Sequence, residues 1–112
     1  MTPGSNIEHL IEDVEQKLRA LFHHKLSRII LYGSYARGDY DEKSDIDVIA
    51  LIDDDELKKY HRQILRINVD LSLKYDVDLT VIVENNTDFN LNVDVIPLFK
   101  NIYREGINIY AA

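Results

Sequence analysis

Apolar residues recur at three- and four-residue steps near the start of the chain: Ile7, Leu10, Ile11, Val14, Leu18, Leu21 and Phe22. Such a stripe predicts an amphipathic helix, and Ser5 followed by Glu8 has the spacing of a capping box at its start. The period then changes. RIILY (28–32) is a short run closed by Gly33 and reads as a buried strand, and IDVIALI (46–52) reads as a second. DDD (53–55) offers turn and N-cap residues for a long helix whose inner face carries Leu57, Tyr60, Ile64, Ile67, Leu71 and Tyr75. VDLTVIV (77–83) is a third strand and NNTD (85–88) a loop. A shorter helix around 96–105 stops at Gly106, a C′ glycine, and INIY (107–110) makes a short fourth strand.

Alternate side chains of a strand point to opposite faces. Ile46, Val48, Ala50 and Ile52 therefore share one face, while Asp45 and Asp47 point the other way. In the third strand Val77, Leu79, Val81 and Val83 share a face, opposite Asp78 and Thr80. The simplest α/β architecture packs the helices on the wholly apolar face of a mixed sheet of about four strands. It gathers the carboxylates at one end of the other face, as a metal site would.

Composition narrows the setting. A chain of 112 residues is read as a single domain spanning 1–112, with 1–5 as a loose tail. No apolar run is long enough to cross a membrane as a helix. MTPGSN lacks the features of a secretion signal, and the absence of cysteine removes disulfides and thiolate metal sites, so a cytoplasmic protein is expected. The net charge of −7 argues against stand-alone binding to a nucleic-acid backbone. It permits a cation-dependent site or a basic protein partner.

The chemistry concentrates in GSYARGDYDEKSDID (33–47). Gly33 and Gly38 have Walker A spacing, but Asp39 and Tyr40 follow where Lys and Ser or Thr are required. An EF-hand starting at Asp39 fails as well, with Ser44 in place of the obligatory glycine. What survives is a strand-to-turn junction with little bulk at Gly33, a hydroxyl at Ser34, and backbone N–H groups able to wrap a phosphate. The neighbouring carboxylates would repel that phosphate unless divalent cations bridge the two. Oxygen-only donors suit Mg²⁺, and two such ions can activate an attacking hydroxyl while stabilising a leaving pyrophosphate.

Gly33-Ser34, Ala36-Arg37-Gly38 and Ser44-Asp45-Ile46-Asp47 together resemble the fingerprint of the minimal nucleotidyltransferases (MNT domains) of the DNA polymerase β superfamily. KNIYREGINIY (100–110) resembles the closing segment of the same family. The resemblance implies a nucleotidyltransferase fold, Mg²⁺, and transfer of a nucleoside monophosphate from an NTP to a hydroxyl. It implies that Gly33 and Ser34 hold the triphosphate, with Ser44 of the second half also in the nucleotide site, and that Asp45 and Asp47 ligate metal. The family's third carboxylate lies on a later strand; Asp78, inside the strand, is preferred over Asp76 at its mouth. Arg37 can touch a phosphate or brace the acidic loop by an ion pair, and its position does not choose between them.

Other residues have plainer readings. Asp39, Asp41, Glu42 and Asp53 to Asp55 read as solvated charges and caps, and Lys43 as a solvated lysine. His23 and His24 read as helix-terminal. Tyr60, Tyr75, Tyr103 and Tyr110 fall on core-facing positions, and Tyr35 and Tyr40 flank the loop as packing residues. The MNT resemblance further suggests a small helical HEPN-type partner, with this chain as antitoxin adenylylating a toxin tyrosine from ATP. A partner neutralised by contact alone, or a homodimer modifying a small molecule, are the alternatives.

Overall fold

The computed structural model describes residues 3–41 and 44–112, with side chains from Ile7 onward. Glu42, Lys43 and the side chain of Ser5, and with it the expected cap, lie outside the described residues. The first helix, α1, spans Pro3–Phe22. Residues 3–5 thus belong to the helix rather than to a tail, and a proline is tolerated in a first helical turn because its missing N–H would have no partner there. The helix closes at His23, whose φ of 50° starts a tight turn over His23–Lys25. Both histidines keep the helix-terminal place expected of them.

Strand β1 (Leu26–Tyr32) follows, then one helical turn α2 (Ser34–Arg37), strand β2 (Ile46–Ile52) and helix α3 (His61–Tyr75). The chain continues with β3 (Leu79–Asn85), α4 (Asn86–Asn92), α5 (Pro97–Glu105) and β4 (Ile107–Ala111). The sheet has the order β3-β2-β1-β4. β1 is antiparallel to β2 and β4, while β2 and β3 are parallel and connected through α3. The expected mixed, four-stranded α/β sheet is present.

Helices cover both faces, not one. Ile46, Val48, Ala50 and Ile52 pack with Leu10, Val14 and Leu18 of α1 and Ile64, Ile67 and Leu71 of α3. On the reverse, Ile30, Ile49 and Leu51 pack with Phe89 of α4 and Phe99 and Ile102 of α5. The sequence pattern predicts a loop at 85–88, where α4 begins, and does not show that α5 packs on this side. Asn85 is in fact an N-cap, its side chain accepting the Asp88 N–H at 2.9 Å, and asparagine is as favourable in that role as in a turn. At one end of this face Asp45 is exposed and Asp47 half-buried. Tyr103, expected in the core, is 65% exposed because α5 turns Phe99 and Ile102 inward instead.

The outer edge of β3 is closed by polar side chains of α3. Asn68 accepts the Val81 N–H at 2.7 Å and donates to its carbonyl at 3.2 Å. Ser72, one turn on, accepts the Leu79 N–H at 3.0 Å. Four residues apart on one helical line, these two occupy backbone groups that would otherwise invite another strand.

Candidate active site

Antiparallel pairing brings the end of β1 to the start of β2, so Tyr32 stands opposite Asp47. The next residue, Gly33, has φ 80° and ψ −156°, backbone that only glycine adopts without strain. A Cβ on Gly33 would lie 2.6 Å from Oδ2 of Asp47. The turn and the acid therefore touch, and the missing side chain is what makes room for the carboxylate. The turn is fastened by the Arg37 N–H to the Gly33 carbonyl at 3.1 Å and the Gly38 N–H to the Ser34 carbonyl at 2.9 Å. Gly38 is left-handed, with φ 84°. Within α2 the first-turn N–H groups have no intrahelical acceptor, as at any helix start.

Asp47 is half-buried, and burial, aided by the charge of Asp45, pushes its carboxyl above the usual range. Tyr32 is pushed up to about 12, first by burial and then by the charge of Asp47. On the other side of Asp47 the parallel register sets Thr80. Two residues back, just before the first paired residues Ile46 and Leu79, the same register sets Asp78 opposite Asp45, and the Asp78 carbonyl accepts the Ile46 N–H at 2.8 Å. β3 itself starts at Leu79, so Asp78 stands at the strand mouth and not inside it. Asp76, two residues earlier, is the left-handed C-cap of α3.

Parity alone predicts three gathered acids, and the arrangement is looser. Among the described residues no group of three His, Asp or Glu side chains is placed to hold a metal ion together. Asp45 and Asp47 form the close pair, with Asp78 one strand away. That pair offers only oxygen donors under mutual repulsion, a donor chemistry that fits a hard divalent cation whose remaining positions are filled by water or phosphate. Beside it a cavity of about 600 Å³ is lined by Tyr35, Ser44, Asp76 and Asp78 together with Ser72, Leu73 and Val77.

The remaining loop residues are engaged locally. Arg37 Nε lies 3.3 Å from Asp39 and its Nη1 3.4 Å from Glu105 of α5, the bracing arrangement. The Ser44 hydroxyl accepts the Asp41 N–H at 2.9 Å, which shapes the loop leading into Asp45. Tyr35 and Tyr40 stack on each other, centroids 4.2 Å apart, in keeping with a packing role.

Asp54, read from sequence as a solvated charge, is instead the centre of a network of its own. With its side chain 8% exposed, it receives Lys25 at 3.0 Å and Lys59 at 2.8 Å. The Tyr60 hydroxyl donates to it at 2.7 Å and the Glu56 N–H at 2.9 Å. A run of three aspartates gives no sign of which one will be enclosed.

The description "Nucleotidyltransferase domain" matches residues 8–101, and the chain belongs to that family. Over 81 residues it is 40% identical to a Methanocaldococcus jannaschii chain named "putative protein adenylyltransferase", covering 72% of this chain and 82% of that one. A second chain of the same name and organism is 34% identical over 105 residues, 94% of this chain and 99% of that one. Among solved structures, a toxin–antitoxin complex with AMP-PNP superimposes with a TM-score of 0.63 at 21% identity, covering 91% of this chain and 73% of that one. A tri-AMPylated HEPN toxin of Shewanella oneidensis in complex with an MNT antitoxin gives 0.59 at 19% identity, covering 94% and 72%. A structure described as a "putative minimal nucleotidyltransferase" gives 0.54 at 25% identity, covering 89% and 92%. The protein is a nucleotidyltransferase.

Proposed function

We propose that this nucleotidyltransferase moves AMP from ATP to a hydroxyl of a second protein, a tyrosine of a HEPN-type partner, and thereby acts as an antitoxin. One observation carries the reading: the Gly33 turn is packed directly against Asp47, which supports a phosphate held by the turn beside a cation held by the carboxylate. The names of the relatives favour a protein as acceptor, and the toxin–antitoxin complexes among the structural neighbours favour a helical HEPN partner.

Asp45 and Asp47 would hold Mg²⁺, which when bound supplies charge to the triphosphate and lowers the pKa of an attacking hydroxyl. The turn N–H groups and the Ser34 hydroxyl would orient the triphosphate, with Ser44 setting the approach of Asp45. The acceptor oxygen then bonds to the α-phosphorus while the bond from that phosphorus to the bridging oxygen of the β-phosphate breaks. Pyrophosphate leaves, and the hydroxyl proton passes to a carboxylate, for which Asp78 is placed opposite Asp45. The exposed Asp45 end of the sheet lets a bulky acceptor approach.

Incubation with ATP, Mg²⁺ and a purified HEPN-type protein, followed by mass spectrometry, tests the reading. Added AMP on a partner tyrosine is expected, and it should disappear with Asp47→Asn. A tight complex that gains no mass would replace the enzyme with neutralisation by contact. Efficient modification of a small molecule by the protein alone would remove the protein acceptor.

A further inference from the structure

α3 buries Ile64, Ile67 and Leu71, yet it also turns three large apolar side chains to solvent: Leu65 (63% exposed), Val69 (47%) and Leu73 (78%). At four-residue spacing they form one line along the outer face. Arg62 extends that line by a turn at one end, and Asp76, the C-cap, extends it at the other. About Val69 the order is symmetric in position: leucine four residues before and after, a charged residue seven before and after. It is antisymmetric in charge, with Arg62 mirrored by Asp76. Among the described residues neither of these has an ion-pair partner.

A two-fold axis makes this demand of a self-complementary surface: residue i meets j while j meets i. We infer that α3 is the interface of a homodimer, packed antiparallel on the α3 of a second copy with Val69 on the axis. Leu65 then meets Leu73 of the other copy, and Arg62 meets its Asp76, at both ends of a contact about 21 Å long. An unrelated partner would have no reason to impose mirror positions with reversed charge. Asp76 also lines the 600 Å³ cavity, whose described lining carries carboxylates and no basic residue. Each copy's Arg62 therefore stands at the mouth of the other copy's cavity. One helix pair is a small interface, so association in the micromolar range or weaker is expected.

Sedimentation equilibrium of the whole protein across the micromolar to millimolar range tests the inference. The wild type should shift from 13.0 kDa toward twice that mass, and Leu65→Asp should stay monomeric at every concentration. Because the chain contains no cysteine, Val69→Cys gives a second measurement that does not depend on a disruptive change. Facing Cα atoms of a close helix pair come near disulfide range, so mild oxidation should join Val69→Cys chains into covalent dimers. Leu91→Cys, exposed on α4, should remain uncoupled. A wild type that stays monomeric throughout, or a dimer untouched by Leu65→Asp, overturns the proposal. So does equal cross-linking at positions 69 and 91. Docking of a HEPN-type protein through Leu65, with no self-association, overturns it too.

Discussion

Replacing Gly33 with alanine separates the geometry of the turn from its chemistry. The new Cβ would lie 2.6 Å from Oδ2 of Asp47, where ordinary contact begins at 3.4 Å. The carboxylate would thus retreat by about 0.8 Å, or the turn would shift by as much; displacement near 1 Å in such a site can cost about 10²-fold in rate. Alanine must also adopt φ 80°, ψ −156°, a conformation costing on the order of 1–3 kcal/mol for an L residue. In a domain of this size that is a fall in Tm of about 4–20 °C.

A double-mutant cycle with Asp47→Ala, read by thermal unfolding, distinguishes the two contributions. The backbone strain persists when Asp47 is truncated, whereas the clash vanishes. Gly33→Ala should therefore cost less in the Asp47→Ala background, with a coupling of about 0.5–3 kcal/mol. Additive destabilisation would refute the direct contact. Wild-type Tm in Gly33→Ala would refute the strained turn as well.

Three further outcomes follow from the same contacts. Since the native state holds the Asp47 proton more tightly than the unfolded chain does, this carboxyl adds stability at low pH and loses it as pH rises through its raised native value. Asp47→Asn should accordingly raise Tm at pH 7 while abolishing transfer, and the gain should fade as pH falls through that raised value and be gone below about pH 4, the usual aspartate range; a loss of Tm at pH 7 would contradict this. Asp54 is the opposite case, its carboxyl held well below the usual range by Lys59, Tyr60, the Glu56 N–H and Lys25. Its contribution is present above the unfolded pKa and lost as pH falls through the depressed native value, so Asp54→Asn should lower Tm at pH 7 where Asp53→Asn does not. Asn68→Ala leaves the Val81 N–H and carbonyl unpaired. About 1–3 kcal/mol of stability should go with them, measured by urea unfolding, along with faster aggregation from the opened strand edge.

What the chain discloses before folding depends on whether the signal is periodic. Four strands and the two longer helices follow from apolar spacing, because burying a stripe or an alternate face is the dominant constraint on those segments. The motif residues 33–47 are legible for a different reason: glycine at a strand end, a hydroxyl and two acids have few structural uses in common. Phe89 and the cap at Asn85 were not legible. A seven-residue helix offers less than two turns of period, and its asparagines fit a loop equally well. Nor could local pattern distinguish Asp54 from Asp53 and Asp55, since Lys25 and Asn85 reach that region only through the tertiary fold. The looser placement of the third acid escapes the sequence pattern for a related reason. Parity fixes the face on which a side chain stands, but not its distance along the strand, and β3 begins one residue after Asp78.

The cost of the site is concentrated where the fold can carry it. β2 is the best-buried strand, with Ile46, Val48, Ile49, Ala50, Leu51 and Ile52 all sealed between the two helical layers. Its first residues nevertheless bring Asp47 into partial burial beside Asp45, against a turn held at positive φ. Each feature is unfavourable for the bare protein. Removing Asp47 would relieve repulsion, and an ordinary turn would relieve the strain at Gly33. A rigid central strand lets such features persist, because relaxing them would mean moving residues packed on both faces. A cation and a phosphate would satisfy both at once, since one supplies the missing positive charge and the other accepts from the turn N–H groups. Ligand binding should therefore raise stability beyond what its contacts add elsewhere, and Mg²⁺ with an ATP analogue should stabilise the wild type but not Asp47→Asn.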